Sequence, residues 1–105
     1  MIREIITEDI RDIIKETPKL VVKFYGEYCA PCKMMEPIIV QAHEELDYDF
    51  VSVCTDDFPL DVEEFEISNV PTFIVFEDGK EKGRFFGAMP KATFVNKINE
   101  LKLLN

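Results

Sequence analysis

The segment Tyr28-Cys29-Ala30-Pro31-Cys32-Lys33 carries two cysteines separated by two residues. An apolar run over residues 20–25 precedes it, and apolar residues at helical spacing follow it over residues 34–46. A strand that leads into a Cys-x-x-Cys at the start of a helix is the expected context of a redox dithiol. The segment therefore predicts a buried strand, a reactive cysteine pair and a helix, in that order.

The predicted helix start favours a reactive thiol at Cys29. The first turn of a helix supplies unpaired backbone N–H groups and a partial positive charge. Both stabilise a thiolate, which is the nucleophilic form of cysteine. Pro31 lacks an N–H, but the first turn of a helix does not need that donor. The spacing therefore suits a nucleophile at Cys29 and a resolving thiol at Cys32, one turn further along.

A zinc site is the alternative use of Cys29 and Cys32, and it needs two more ligands. The remaining candidates are Cys54 and His43. On a continuous helix His43 lies about 16 Å beyond Cys32, so the two cannot share a metal ion. We therefore expect redox chemistry and no metal, with His43 on the helix surface. Cys54 ends an apolar segment and is expected to be a small buried side chain.

Length and charge limit the classes of function. The chain has 105 residues and a net charge of −9 at pH 7. This length supports one hydrophobic core, and we predict a single domain over residues 1–105. The negative charge makes nucleic acid and anionic membranes poor partners. Because the sequence has neither a membrane-length apolar stretch nor a secretory apolar region at its start, we expect a cytoplasmic protein.

Apolar periodicity predicts an α/β fold. The predicted order is strand, helix, strand, helix, strand, helix, a hairpin at Asp78-Gly79, and a last helix that begins near Pro90. Thr7 is expected to cap the first helix. The β-α-β-α-β beginning requires parallel neighbouring strands, whereas the hairpin adds an antiparallel pair. The prediction is a mixed five-stranded sheet with helices on both faces.

Four landmarks in this order resemble the thioredoxin family across essentially the whole chain. They are the active-site segment 24–33, Pro37 at the kink of the active-site helix, the cis-proline segment Val70-Pro71-Thr72, and the hairpin Asp78-Gly79-Lys80 followed by Phe86-Gly87-Ala88. The resemblance implies the thioredoxin fold, with a central mixed five-stranded sheet and about four helices on both faces.

The resemblance also implies the activity of a protein-disulfide reductase. In that activity the Cys29 thiolate attacks a substrate disulfide, and Cys32 then resolves the mixed disulfide. The resemblance further implies that no cofactor binds the chain itself and that NADPH supplies electrons through a thioredoxin reductase. The implied roles are electron transport and cell redox homeostasis, the partners are disulfide-containing proteins, and we expect a monomer. A more oxidising oxidase or isomerase, and a binding module with incidental redox activity, remain as alternatives.

The resemblance further implies a shallow apolar groove for the substrate. Its border would be formed by Tyr28, Val70, Pro71, Gly87 and Ala88. A cis peptide bond before Pro71 would place the backbone of Val70 beside the dithiol. There it would pair with an extended substrate strand, as in β-augmentation.

Three residues are expected to tune the redox chemistry: Ala30, Pro31 and Lys23. Ala30 stands where the family usually has glycine. Lys23 replaces the buried acid of the family, and the family's frequent lysine on the third strand aligns with Ser52. The charged pair beneath the dithiol is therefore expected to be rebuilt in this chain.

Three interpretations of Lys23 remain open. Its stem packs while its ammonium reaches solvent or a carboxylate such as Glu27 or Asp56. A charged ammonium beneath the dithiol would instead lower the pKa of the cysteines. A neutral amine could accept the proton of Cys32 during resolution.

Overall fold

The computed structural model describes residues 2–103. Its elements follow the predicted order: β1 (Ile2–Glu4), α1 (Ile10–Glu16), β2 (Lys19–Tyr25), α2 (Ala30–Glu45), β3 (Asp49–Cys54), α3 (Pro59–Glu64), β4 (Thr72–Glu77), β5 (Lys80–Phe86) and α4 (Lys91–Lys102). One sheet contains the five strands in the order β1-β3-β2-β4-β5. The β1–β3 and β2–β3 pairs are parallel, and the β2–β4 and β4–β5 pairs are antiparallel. The mixed five-stranded sheet is therefore confirmed.

Two hydrophobic cores lie on opposite faces of the sheet, because successive side chains of a strand point to opposite sides. Along β2, Val22 and Phe24 belong to the core that contains α1 and the phenylalanines flanking α3. Val21 belongs to the other core, which α2 and α4 cover. Lys23 has the parity of Val21, so its side chain leaves the sheet on the face covered by α2.

The first helix begins later than predicted. Asp9, not Thr7, is its N-cap, and the Asp9 side chain accepts a hydrogen bond of 2.9 Å from the backbone N–H of Arg11. Ile10 is fully buried and opens the helix, so the capping residue must directly precede it. The Thr7 prediction is therefore wrong by two positions.

One edge of the sheet collects the landmarks of the sequence. The parallel strands β2 and β3 both end there, at Tyr25 and Cys54, which are register partners. The antiparallel strand β4 begins there at Thr72, which pairs with Phe24 of β2 and with Phe86 at the end of β5. The segments that follow β2 and β5 and precede β4 therefore meet at this edge, and they carry the predicted site residues.

Candidate active site

The cysteine pair forms a disulfide at the start of α2. Cys29 and Cys32 are bonded, with their Cα atoms 5.3 Å apart. Cys29 is the N-cap residue, and its Sγ accepts a hydrogen bond of 3.2 Å from the backbone N–H of Cys32. Cys29 is 7% exposed and Cys32 is 2% exposed. The helix start therefore directs an N–H group at the Cys29 sulfur, as the sequence predicts, and a thiolate there would be stabilised.

Val70 lies beside the dithiol. A Cβ atom built on Gly26 would lie 3.5 Å from Cys29 Cβ and 3.5 Å from Val70 Cγ2, so Gly26 separates the two side chains narrowly. The Val70–Pro71 peptide bond is cis, which confirms the implied cis proline. The segment before β4 is thereby placed against the loop that carries Cys29.

The remaining groove residues lie next to this segment. The backbone N–H of Gly87 donates a hydrogen bond of 2.9 Å to the carbonyl of Pro71. Gly87 has a φ of 96°, a conformation that favours glycine. Ala88 follows it and is exposed. Tyr28, directly before Cys29, is 93% exposed and offers its ring to solvent.

A second cleft, which the sequence did not predict, opens on the Cys32 side of the dithiol. Its volume is about 370 Å³, and it contains Cys32 and three carboxylates. The lining residues are Tyr25, Gly26, Glu27, Cys32, Lys33, Glu36, Cys54 and Asp57. Glu36 follows Cys32 by four residues on α2, so the two share one face of the helix. That spacing is the signal in the sequence from which Glu36 could have been found.

Three register partners form a row across the sheet, which we call the charged row: Glu4, Ser52 and Lys23. Ser52 of β3 is the register partner of both Lys23 on β2 and Glu4 on β1. Lys23 is only 6% exposed, and its Nζ lies 5.2 Å from the centroid of the Tyr25 ring. The Tyr25 hydroxyl donates a hydrogen bond of 2.7 Å to Glu4 Oε2. The charged pair is therefore rebuilt, as the sequence predicts, with a buried lysine that shares its row with a glutamate.

Burial and the neighbouring opposite charges shift the pKa values of Lys23 and Glu4 in opposite directions. Burial lowers the pKa of Lys23, and the negative charges of Glu36 and Glu4 oppose that shift. Burial raises the pKa of Glu4, and the hydrogen bond from Tyr25 and the charge of Lys23 oppose that shift. The row therefore couples Lys23 to carboxylates on two other elements, β1 and α2.

The predicted carboxylate partners of Lys23 are wrong. The Asp56 carboxylate instead accepts a hydrogen bond of 2.9 Å from the backbone N–H of Glu27. The charges that act on Lys23 are those of Glu36 and Glu4, because its side chain points to the α2 face and its strand lies two strands from β1.

Cys54 is a buried free thiol, as predicted. Its Sγ lies 3.8 Å from Asp56 Oδ2. Burial raises the pKa of this thiol, so its reactive thiolate is scarce near neutral pH.

We expect alkylation of the reduced protein near neutral pH to reach Cys54 at least about 10-fold more slowly than Cys29. The reason is the scarcity of the Cys54 thiolate, because Cys29 and Cys54 are equally buried, each 7% exposed. Peptide mapping of protein quenched after increasing times with iodoacetamide measures both rates. The unfolded protein is the control, in which the cysteines should react alike. Equal rates of Cys29 and Cys54 in the folded protein would contradict the scarcity of the Cys54 thiolate.

The alternative use of the cysteines finds no further support. Within residues 2–103 no group of three or more histidine, cysteine, aspartate or glutamate side chains is arranged to hold a metal ion. His43 is half-buried rather than on the open surface, with its ring edge-on to Phe50 at a centroid distance of 5.5 Å. No helix in the same range has the length and apolar character needed to cross a membrane.

A mixed sheet with a Cys-x-x-Cys disulfide at a helix start and a cis proline beside it defines the thioredoxin-fold class of redox proteins. The Thioredoxin family model matches residues 3–100 of this chain. The chain belongs to the thioredoxin family.

Relatives and solved structures agree with this assignment. The chain is 39% identical to mitochondrial thioredoxin-3 of Saccharomyces cerevisiae over 87 residues, covering 80% of this chain and 67% of that protein. It is 32% identical to the thioredoxin of Chlamydia caviae, covering 95% of this chain and 98% of that protein. The structure of reduced Schistosoma mansoni thioredoxin pre-protein superposes with a TM-score of 0.85 at 27% identity, covering 95% of this chain and 97% of that one.

Family membership and the Cys29–Cys32 pair together establish the class of activity. The protein is a thiol–disulfide oxidoreductase, an enzyme of the protein-disulfide reductase type. Thioredoxins carry out this chemistry with a cysteine pair and need no bound cofactor.

Proposed function

We propose that Cys29 is the nucleophile and Cys32 the resolving thiol in the reduction of disulfide-containing proteins. The observation that carries the proposal is the N–H of Cys32 directed at the Cys29 sulfur at 3.2 Å. The Cys29 thiolate attacks one sulfur of the substrate disulfide, and the other substrate sulfur leaves as a thiolate. Cys32 then attacks Cys29, which releases the second substrate sulfur and forms the Cys29–Cys32 disulfide.

The substrate is proposed to lie over the Val70 side of the dithiol. Val70 is close to Cys29 across Gly26, and Pro71 and Gly87 are joined by a backbone hydrogen bond. The exposed side chains of Tyr28 and Ala88 stand at the rim of this surface. An extended substrate strand would pair with the backbone of Val70 while its disulfide meets Cys29.

Ala30, Pro31 and Lys23 are proposed to tune the redox chemistry. Ala30 and Pro31 are the first two residues of α2 and are exposed. They shape the turn that joins the cysteines, and Pro31 contributes no N–H to it. Lys23 lies in the charged row on the face of the sheet that α2 covers, where its charge acts on the ionisation of the thiols.

The reduced dithiol must be regenerated, and we propose that NADPH supplies the electrons through a thioredoxin reductase. This role in electron transport and redox homeostasis requires a compartment that keeps thiols reduced, so we propose the cytoplasm. Residues 1–105 are proposed to act as a single, monomeric thioredoxin domain.

With NADPH, a thioredoxin reductase and insulin, we expect NADPH oxidation that depends on this protein. Insulin reduction with dithiothreitol but none with NADPH and reductase would contradict this electron source.

The experiment that tests the proposed function is reduction of insulin by dithiothreitol, followed as turbidity. We expect the wild-type protein to accelerate it and the double variant Cys29→Ser, Cys32→Ser to do nothing. Wild-type protein that is as inactive as the double variant would instead favour a binding module.

The two thiols should differ in reactivity. We expect iodoacetamide to label Cys29 first in the reduced protein near neutral pH, at least about 10-fold faster than Cys32, because only Cys29 occupies the N-cap position. Peptide mapping by mass spectrometry measures the ratio. Preferential labelling of Cys32 would reverse the proposed roles.

A further inference from the structure

During the resolving step the Cys32 thiol must lose its proton. The side chain of Cys32 is shielded from solvent in the oxidised structure. Cys32 is 2% exposed, whereas it must become a thiolate before it attacks the mixed disulfide. A general base acts within hydrogen-bond reach of the proton, or through one water molecule. The base must therefore be a group that shares an opening with Cys32.

The second cleft is that opening. It is lined by Cys32 and by three carboxylates, those of Glu27, Glu36 and Asp57, in a volume of about 370 Å³. This volume and polar lining are sufficient for ordered water. Among the carboxylates, Glu36 shares a helix face with Cys32, and such a spacing places Cβ atoms about 5–6 Å apart. Glu36 is exposed and keeps contact with solvent, to which it can return a proton.

Lys23 is a buried cation on the face of the sheet that is covered by the helix of Glu36. The side chain of Lys23 leaves the sheet on the face that α2 covers, and α2 carries Glu36. Of the two carboxylates that oppose the lowered pKa of Lys23, Glu36 has the larger effect and Glu4 the smaller.

We propose that Glu36 is the proton acceptor for Cys32 during resolution, acting through water in the second cleft, and that Lys23 is a positioning residue whose ammonium attracts the Glu36 carboxylate. This inference rests on the proposed roles of Cys29 and Cys32. It assigns the proton-accepting role to an exposed carboxylate of α2 rather than to the amine of Lys23.

The step balances without a further reactant. The Cys32 thiol gives its proton to the Glu36 carboxylate, and the Cys32 thiolate forms a bond to Cys29 Sγ. The bond between Cys29 and the substrate sulfur breaks, and the electron pair leaves with that sulfur. Glu36 then gives its proton to the departing thiolate or to solvent, which regenerates the carboxylate.

Other charged and titratable groups surround the pair from each neighbouring element, and they enter its pH dependence. They are Glu4 on β1, Lys23 and Tyr25 on β2, Glu27 in the following loop, Lys33 on α2, Cys54 on β3, and Asp56 and Asp57 in the turn after it. Glu27 and Asp57 are the competing carboxylates, because both line the same cleft as Cys32. Neither of them has the helical spacing of Glu36 to Cys32.

Ellman's reagent isolates the resolving step. Its reaction with the reduced protein releases one thionitrobenzoate when Cys29 attacks and a second when Cys32 resolves the mixed disulfide. Because this leaving group needs no proton, the second phase reports the deprotonation of Cys32. We expect Glu36→Gln to slow that phase at least about 10-fold in mildly acidic solution. The deficit should disappear in mildly alkaline solution, where hydroxide removes the proton, and Glu36→Asp should restore part of the rate.

Matched variants decide the assignment. Glu44→Gln changes another exposed carboxylate of α2 and should resolve at the wild-type rate. Glu36→Gln that behaves like Glu44→Gln at every pH would overturn the proposal. An equal deficit at every pH would also overturn it, because it would indicate a structural role. A deficit in Asp57→Asn or Glu27→Gln without one in Glu36→Gln would overturn the proposal and assign the proton to that other carboxylate.

The results that would contradict the role of Glu36 differ from the results that would contradict the proposed function. The first phase measures attack by Cys29, and Cys32→Ser should retain it while losing the second phase. Loss of both phases in the wild-type protein would contradict the proposed function. A normal wild-type protein with a normal Glu36→Gln variant would contradict the role of Glu36 alone.

Discussion

Substitution of Cys29 by serine is expected to abolish disulfide reduction, leaving insulin to be reduced at the rate of dithiothreitol alone. A hydroxyl cannot form the mixed disulfide through which electrons pass, so no partial activity remains. Cys32→Ser is expected to lose turnover as well, but for a different reason. Its Cys29 still attacks, and the mixed disulfide then persists because the resolving thiol is absent.

The difference between the two variants is measured by non-reducing electrophoresis and mass spectrometry after incubation with a disulfide-containing protein. Cys32→Ser should accumulate a covalent adduct at Cys29 that reductant releases, and Cys29→Ser should accumulate none. Cys54→Ala in the Cys32→Ser background is the matched control and should leave the adduct unchanged, since the raised pKa of Cys54 keeps its thiolate scarce. Adducts formed through Cys32 or Cys54 would contradict the assignment.

Lys23→Met is expected to raise the pKa of the reduced thiols and to slow release of the mixed disulfide by about 3- to 10-fold. The methionine keeps much of the apolar stem and removes the ammonium from the charged row. Without that charge, the thiolates lose a favourable electrostatic interaction. Thiolate absorbance against pH measures the shift, and the second phase with Ellman's reagent measures the release. Superimposable titrations with equal release rates would show that Lys23 is only a packing residue.

The Lys23→Met variant should still fold, and its free energy of unfolding near neutral pH should equal or exceed that of the wild type. Because burial lowers the pKa of Lys23, the unfolded chain binds more protons than the folded one between that lowered pKa and the ordinary value of 10.5. Stability of the wild-type protein therefore rises with pH through this window. Lys23→Met should be at least as stable near neutral pH and should lack the rise.

Denaturant unfolding at neutral and alkaline pH measures this difference, with Lys15→Met as the control. Lys15 is exposed on α1, so its substitution should leave the pH dependence unchanged. A Lys23→Met variant that is less stable than the wild type at neutral pH would show that the ammonium contributes favourably to the fold.

Apolar periodicity and turn residues sufficed to predict the order of the elements. The apolar run of residues 20–25 and the turn at Asp78-Gly79 are local signals. The structure confirms the strand and the hairpin that they predict. The N-cap of the first helix was harder to place, since both Thr7 and Asp9 are good capping residues. The choice depends on the burial of Ile10, which is a tertiary property.

The cysteine pair and the cis proline could be predicted, whereas the charge layout around them could not. Glu4, Lys23 and Glu36 are far apart in sequence, and they are brought together by the β1–β3–β2 register and by α2 packing on that face. The sequence marked Lys23 as unusual because it interrupts an apolar strand. It could not identify the partners, because strand order and helix placement are set by the whole core.

The central claim, that the protein is a reductase using the Cys29–Cys32 pair, is tested most directly by a redox titration of that pair in glutathione buffers. The fraction of reduced dithiol is read by alkylation and mass spectrometry at each ratio of reduced to oxidised glutathione. We predict a reducing couple, with a potential below about −220 mV. A potential above about −180 mV, in the range of disulfide isomerases and oxidases, would contradict the account.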